Sequence, residues 1–110
     1  MPKSDTIRFH HMLDAAREAV SFAAGCSRAD LDSNRMLNLS LVRLIEIIGE
    51  AAGRVSPEAQ KSYPQIAWPE IVGMRHRLAH GYDAIDLDIV WEVVNGDLPK
   101  LIVQLEALLD

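Results

Sequence analysis

The chain has 110 residues, of which 49% are hydrophobic and 25% are charged, a balance that excludes a disordered chain and fits one domain, residues 1–110. Its net charge of -5 excludes nucleic-acid binding driven by overall charge, so any RNA contact must come from a local cationic patch. Its lone cysteine excludes an internal disulfide, and neither a signal-peptide core nor a membrane span is visible. We therefore expect a cytoplasmic protein with no membrane contact.

Two helical patterns fill the first half of the chain. Residues 5–24 carry apolar side chains at helical spacing, with Asp5 as a candidate cap and Gly25 as a candidate stop. After a polar, turn-prone stretch, residues 34–55 carry the strongest pattern, and its two apolar stripes predict a central helix packed on more than one side. The stripes are Ile7, Met12, Ala15, Ala19, Phe22 and Ala23 in the first helix, and Leu37, Leu41, Leu44, Ile45, Ile48, Ala51, Ala52 and Val55, with a second row of Met36, Leu39, Val42 and Ile47, in the second.

The proline-rich stretch that follows separates these helices from the next one. Ser56-Pro57 predicts a short helical turn near residues 57–61. Trp68-Pro69-Glu70 resembles a fresh helix start, and that helix is predicted to run from about Pro69 to His80, where Gly81 ends or loosens it.

The C-terminal segment predicts one more helix. Asp86 or Asp88 can cap it, and Pro99 should kink it unless Asp97 restarts it after Gly96. No run alternates with period two for long enough to make a strand. The predicted fold is therefore all-α, a bundle of four main helices plus the short turn.

The stretch MRHRLAHGYDAID, residues 74–86, concentrates the reactive side chains. His80 can carry a proton near neutral pH, and the guanidinium groups of Arg75 and Arg77 match phosphate oxygens in a fork. A base that takes the proton of a ribose 2'-hydroxyl and a cation that stabilises the phosphorus oxygens are sufficient for metal-free RNA cleavage. In a straight helix, however, positions five apart point about 140° away from each other. Arg75 and His80 of one chain would thus meet one phosphate poorly unless the helix loosens or two chains share a groove.

Two other interpretations of this stretch stay open. Arginine and histidine on a helix usually form a solvated face. His76 and His80 are spaced i, i+4 and could bind zinc, although no carboxylate lies between them and the neighbouring arginines repel a cation.

Two acids in the central helix have two interpretations as well. Glu46 and Glu50, one turn apart, could form surface ion pairs with Arg43 or Arg54. Alternatively, one of them reaches the motif helix and orients an arginine there.

The segment RHRLAHGY fits the R-x4-H-x-Y motif of the HEPN superfamily, and the chain from residue 43 onward resembles its HepT-like toxins. This resemblance implies an up-and-down helical bundle that forms a homodimer and acts as an endoribonuclease on RNA without a metal or another cofactor. It also implies a partner, a small nucleotidyltransferase antitoxin that adenylylates the motif tyrosine.

Carried over to this sequence, the resemblance makes Arg75 and His80 the catalytic pair and Tyr82 the AMP acceptor. His76 stands where the family often has asparagine, and it can still position Arg75 or the phosphate. Arg77 lies outside the strict motif and is expected to contact RNA or form a salt bridge. A non-catalytic helical dimer that binds a nucleotide or a nucleotidyltransferase is the alternative function, but the intact Arg75, His80 and Tyr82 favour the ribonuclease.

Overall fold

Three long helices, one of them near the middle of the chain, form the framework of the part that the structure describes. The computed structural model describes residues 1–79 and 84–110, and within them α1 (Lys3–Ala23) packs along both α3 (Arg35–Gly53) and α8 (Leu98–Leu109). The shorter elements are α2 (Asp30–Ser33), α4 (Pro57–Ser62), α5 (Trp68–Val72), α6 (Met74–Leu78), α7 (Leu87–Glu92) and a π-helical turn (Val93–Asp97). These residues contain no strand, only one isolated antiparallel bridge between Ala79 and Ile85, which confirms the all-α class. None of these helices is both long and apolar enough to span a bilayer.

The central helix α3 largely matches its prediction. All eight residues of its main stripe are buried, and α1 packs on it from one direction while α5 and α6 pack on it from another. The second stripe is only partly covered, because Val42 and Ile47 are half-buried whereas Met36 and Leu39 are 81% and 51% exposed. One face of α3 is therefore apolar and open in the single chain.

The N-terminal helix differs from its prediction at both its start and its buried face. It begins at Lys3, so Asp5 lies inside the first turn and does not cap it. Ile7 and Phe22 are exposed, and Phe9 and Leu13 are buried instead. The predicted stop is confirmed, since the helix ends at Ala23 and Gly25 adopts a φ of 77°, which glycine tolerates without strain.

Asp5 ties α1 to the start of α4. Its buried carboxylate accepts hydrogen bonds from the Ser56 backbone N–H at 2.9 Å and from the Ser56 hydroxyl at 2.7 Å. These two bonds lower the pKa of the Asp5 carboxyl group, and the bond from the Ser56 backbone has the larger effect. Ser56 in turn caps α4 by accepting from the Ala59 backbone N–H, so the predicted turn near residues 57–61 is confirmed.

The segment between Gly25 and α3 is more ordered than predicted. It contains α2, whose Leu31 is fully buried. Arg28 joins this part of the chain to α7, because its guanidinium donates to Asp88 of α7 at 2.7 Å and to Asp32 of α2 at 3.1 Å. These bonds raise the pKa of Arg28, and the bond to Asp88 has the largest effect.

The predicted helix from Pro69 to His80 is wrong in its extent. It is divided at Gly73 into α5 and α6, and α6 ends at Leu78. At Ala79 the backbone is extended (φ -69°, ψ 132°), and the Leu78 carbonyl accepts from the backbone N–H of Asp86 at 2.7 Å. This distant partner occupies the carbonyl that a longer helix would use. The predicted end at Gly81 lies outside the described residues.

The last helical segment starts as predicted, and a π-helical turn interrupts it. Asp86 caps α7 by accepting from the backbone N–H groups of Asp88 and Ile89. Pro99 lies in the first turn of α8, directly after the π-helical turn, and the kink expected there stays a prediction. The π-helical turn joins α7 to α8, and the predicted restart at Asp97 is within one residue of the start of α8 at Leu98.

Candidate active site

The helix α6 presents its cations outward because its two ends are anchored in the core. Met74 and Leu78 are four residues apart, lie on one face and are almost fully buried. The three residues between them, Arg75, His76 and Arg77, are exposed. The local pattern of this short helix thus accounts for a cationic surface on an acidic protein.

Arg75 projects toward α3. Its Nε lies 3.4 Å from Oε2 of Glu46, and about half of the Arg75 side chain remains exposed. Glu50, in contrast, pairs with Arg43 at 3.4 Å, and both of those side chains are mostly exposed. Each interpretation of the two acids therefore holds for one of them: Glu46 reaches the motif helix and Glu50 forms a surface pair. An ion pair in which the arginine is about half exposed is weak.

Arg77 projects away from Arg75. Its terminal nitrogen lies 2.6 Å from Oδ2 of Asp97 at the end of the π-helical turn, and both side chains are about 40% exposed. Side chains two positions apart on a helix point about 200° away from each other around the helix axis. This difference in direction explains why the two arginines pair with carboxylates on different elements. The predicted salt bridge of Arg77 is confirmed. A contact of His76 or Arg77 with RNA stays a prediction.

His80 and Tyr82 lie outside the described residues, but the residues that flank them are described. Ala79 and Ile85 form the isolated antiparallel bridge, and next to it the backbone N–H of Asp86 donates to the Leu78 carbonyl. The helix ends before His80, so the 140° separation expected for a continuous helix from Arg75 to His80 does not apply. That objection to a single-chain site is removed.

A comparison with protein families identifies the family of this chain. The model of the HepT-like ribonuclease family matches residues 12–108, which include all of α3 to α7. The chain belongs to the HepT-like ribonuclease family. This membership confirms the resemblance seen in the sequence and assigns the chain to a class of ribonucleases.

Individual relatives of this HepT-like chain agree with the family. A Methanocaldococcus jannaschii protein provisionally named as an RNase is 31% identical over 98% of the chain and 100% of its own length. A Caldanaerobacter subterraneus protein with a similar provisional RNase name is 31% identical over 90% of the chain and 88% of its own length. A Thermococcus cleftensis protein provisionally named as ribonuclease HepT is 32% identical over 72% of both chains. No solved structure matches the chain significantly.

A metal centre finds no support in the part of the HepT-like chain that the structure describes. Residues 1–79 and 84–110 contain no group of three or more histidine, cysteine, aspartate or glutamate side chains that could hold a metal ion. The alternative zinc pair of His76 and His80 includes a residue outside that part, and cleavage in the presence of a chelator tests it.

Two residues that shape this HepT-like site were not predicted from the sequence. Asp97 was predicted only as a helix start, although it pairs with Arg77 from 20 positions away. Gly49 carried no prediction. A Cβ atom at Gly49 would lie 3.3 Å from the Ile71 carbonyl oxygen, so this glycine allows α5, which directly precedes the motif helix, to pack closely on α3. A glycine inside a strongly periodic helix is the signal that could have indicated such a close approach.

Gly49→Ala should destabilise the protein, whereas Gly53→Ala should not. At position 49 the new methyl group meets backbone of α5, and overpacking of this kind costs about 1–3 kcal/mol. At position 53 a Cβ atom meets only the Val72 side chain, at 3.8 Å, and the gain in helix propensity is about 0.5–1 kcal/mol. Urea unfolding followed by circular dichroism measures both variants. Equal stabilities of the two variants would show that α5 does not depend on Gly49.

Proposed function

We propose that this chain is the toxin of a type VII toxin–antitoxin system and cleaves RNA without a metal, with Arg75 and His80 as the catalytic pair. The observation that carries the proposal is the geometry of Arg75, which α6 presents at the surface and Glu46 orients from α3. Membership of the HepT-like ribonuclease family and the R-x4-H-x-Y motif support the same activity.

The chemistry proposed for the pair is a transesterification followed by release. Neutral His80 takes the proton of a ribose 2'-hydroxyl, and the resulting oxygen attacks the adjacent phosphorus. The bond from phosphorus to the 5'-oxygen breaks, and that oxygen takes up a proton from an imidazolium group. Arg75 stabilises the negative charge that builds on the phosphorus oxygens. The products are a 2',3'-cyclic phosphate, or the 3'-phosphate formed from it by hydrolysis, and a 5'-hydroxyl end.

The test of this function is incubation of the purified chain with RNA in the presence of EDTA. We expect cleavage that EDTA does not inhibit and 2',3'-cyclic phosphate or 3'-phosphate ends. Loss of cleavage in EDTA would restore the zinc interpretation of His76 and His80. Intact RNA under all conditions, with retained binding of a nucleotide or a nucleotidyltransferase, would instead favour the non-catalytic dimer.

We also propose that the active unit is a homodimer formed through the open face of α3. The exposed apolar side chains of Met36 and Leu39 lie on this face, next to Phe22 of α1. Farther along the same face come Arg43, Glu46 and Glu50 at helical spacing. The face therefore changes from apolar to charged as it approaches the carboxylate that orients Arg75.

The charged part of this face complements itself. Arg43 and Glu50 stand about 10 Å apart along the helix axis, with Glu46 between them. If two copies of α3 pack in antiparallel fashion, opposite charges on this face, such as Arg43 and the Glu50 of the other chain, can face each other, as a two-fold interface requires. We propose that this arrangement also brings the two copies of Arg75, each paired with a Glu46, to one shared groove.

Light scattering at micromolar concentration should therefore give twice the monomer mass of 12.2 kDa. Leu39→Glu should shift the protein toward the monomer, because it introduces a charge into the apolar part of the interface. Val103→Glu is the matched control, since Val103 is similarly exposed but belongs to α8. A monomeric wild-type protein that still cuts RNA would refute the dimer.

A further inference from the structure

A cavity with an apolar floor and a charged rim lies on the other side of α6 from Glu46. It has a volume of about 250 Å³ and lies between α5–α6 and the junction of the π-helical turn with α8. Its floor is apolar, formed by the buried side chains of Ile71, Met74 and Leu101. Its rim carries two cations, Arg77 and Lys100, and two carboxylates, Asp97 and Glu70. The family motif does not account for this cavity, because Met74 and Arg77 are the lining residues that belong to the motif stretch and neither is part of the strict motif.

The π-helical turn shapes the edge of this cavity. Gly96 lies in the turn and lines the cavity, and a Cβ atom there would have no neighbour within 4 Å, so the edge is open. Asp97, the last residue of the turn, reaches across to Arg77 at 2.6 Å. Such turns are rare in helices and occur frequently at binding and catalytic sites.

The lining resembles what a nucleotide needs and differs from what a purely apolar ligand needs. The apolar floor suits the ring of a base, and Arg77 and Lys100 at the rim suit its phosphate. The Asp97 carboxylate can accept hydrogen bonds from N–H groups on the edge of a base. The cavity is below the range of about 300–1,000 Å³ typical of drug-sized ligands, as expected for a single base.

We propose that this cavity binds one guanosine nucleotide of the RNA substrate, next to the nucleotide that is cleaved. Guanine is the base that offers two neighbouring N–H groups to a carboxylate, and Asp97 becomes available to it when the RNA phosphate takes over Arg77. Because Arg75 and Arg77 occupy opposite sides of the short α6, a strand that crosses this helix reaches the catalytic arginine and the cavity together. The inference rests on the proposed function, and it assigns the substrate preference of that site.

The experiment measures binding of short 2'-O-methyl RNA by fluorescence anisotropy, because this RNA lacks the nucleophilic hydroxyl and cannot be cleaved. Two tetranucleotides that differ only in one guanosine or adenosine are compared on the wild-type protein. We expect the guanosine oligomer to bind about tenfold more tightly, the discrimination that a good bidentate contact provides. Equal affinity of the two oligomers would overturn the base assignment.

Two substitutions separate the phosphate contact from the base contact. Lys100→Gln should weaken both oligomers to a similar degree, as the loss of a phosphate contact does, whereas Lys61→Gln, at an exposed lysine of α4, should change neither. Asp97→Asn should remove the preference for guanosine, with retained folding checked by circular dichroism. An unchanged affinity in Lys100→Gln or an unchanged preference in Asp97→Asn would overturn the cavity as the binding site.

Failure of this inference and failure of the proposed nuclease give different results. If the wild-type protein does not cleave RNA but shows the expected guanosine preference, the cavity stands and the catalytic proposal falls. If it cleaves RNA with EDTA present but binds both oligomers equally, the nuclease stands and the cavity assignment falls.

Discussion

Arg75→Ala and His80→Ala should each reduce RNA cleavage by about 10²- to 10⁴-fold while the helical fold persists. The expected loss is large because, in the proposed mechanism, His80 moves the proton and Arg75 stabilises the charge of the transition state. Arg75 is half exposed and its single described ion pair is weak, so its removal leaves no buried charge. Initial rates on a defined RNA measure the effect, and circular dichroism verifies the fold.

Matched residues elsewhere in the chain provide the controls for this experiment. His11→Ala and Arg54→Ala remove the same side chains from exposed positions on α1 and just after α3, and both should retain cleavage. RNA cleavage by Glu46→Gln should be slower than that of the control variants and faster than that of Arg75→Ala. We expect a lower kcat and a nearly unchanged KM, because in the proposed site Glu46 positions Arg75 and does not contact the substrate. Its control is Glu58→Gln, at an exposed glutamate of α4. Full activity in both Arg75→Ala and His80→Ala would refute the assignment.

Tyr82→Phe should make the toxin resistant to its antitoxin. We propose that a nucleotidyltransferase partner transfers AMP to the Tyr82 hydroxyl, which the phenylalanine variant lacks. The added phosphate offers a guanidinium group the same ligand as RNA does, so it would compete for Arg75 or Arg77 and block the site by its bulk as well. Cells that express Tyr82→Phe together with the partner should therefore remain growth-arrested, whereas cells with the wild-type toxin should recover.

Intact mass measurement of the co-expressed protein provides the molecular evidence. The wild-type chain should gain increments of AMP and the Tyr82→Phe chain should gain none. Tyr63→Phe is the control, because Tyr63 is the other of the two tyrosines in the chain and packs edge-on against the ring of Phe9. It should be modified and neutralised like the wild type. Increments that persist in Tyr82→Phe, or neutralisation without a change of mass, would show that Tyr82 is not the acceptor.

The fold was predictable where periodicity alone decides it. The main stripe of α3 was identified in full because its residues recur at helical spacing over about five turns, and every one of them is buried. The role of Asp5 was not predictable, because its partner Ser56 is 51 positions away and only packing brings them together. The end of α6 also depends on a distant bond, from Asp86 to the Leu78 carbonyl, which local propensity does not reveal.

The candidate site was likewise predictable in part from the sequence and in part only from the structure. The linear motif was sufficient to propose Arg75, His80 and Tyr82, since their spacing is a property of the sequence. The choice between Glu46 and Glu50 needed the structure, because both lie on the same side of α3 and only one of them meets α6. The pairing of Asp97 with Arg77 was not predictable, because it depends on a π-helical turn that neither apolar periodicity nor a capping signal indicates.

The brevity of α6 determines how firmly the reactive surface is held. A helix of five residues lies far below the length at which helices persist in water, roughly 12–15 residues, so its own hydrogen bonds cannot maintain it. It persists because Met74 and Leu78 are inserted in the core and Gly49 lets the adjoining α5 settle against α3. Its free energy of local opening is therefore set by those contacts and can lie well below that of global unfolding. Substitutions in the core beneath α6 should therefore abolish RNA cleavage at temperatures where the rest of the bundle is still folded.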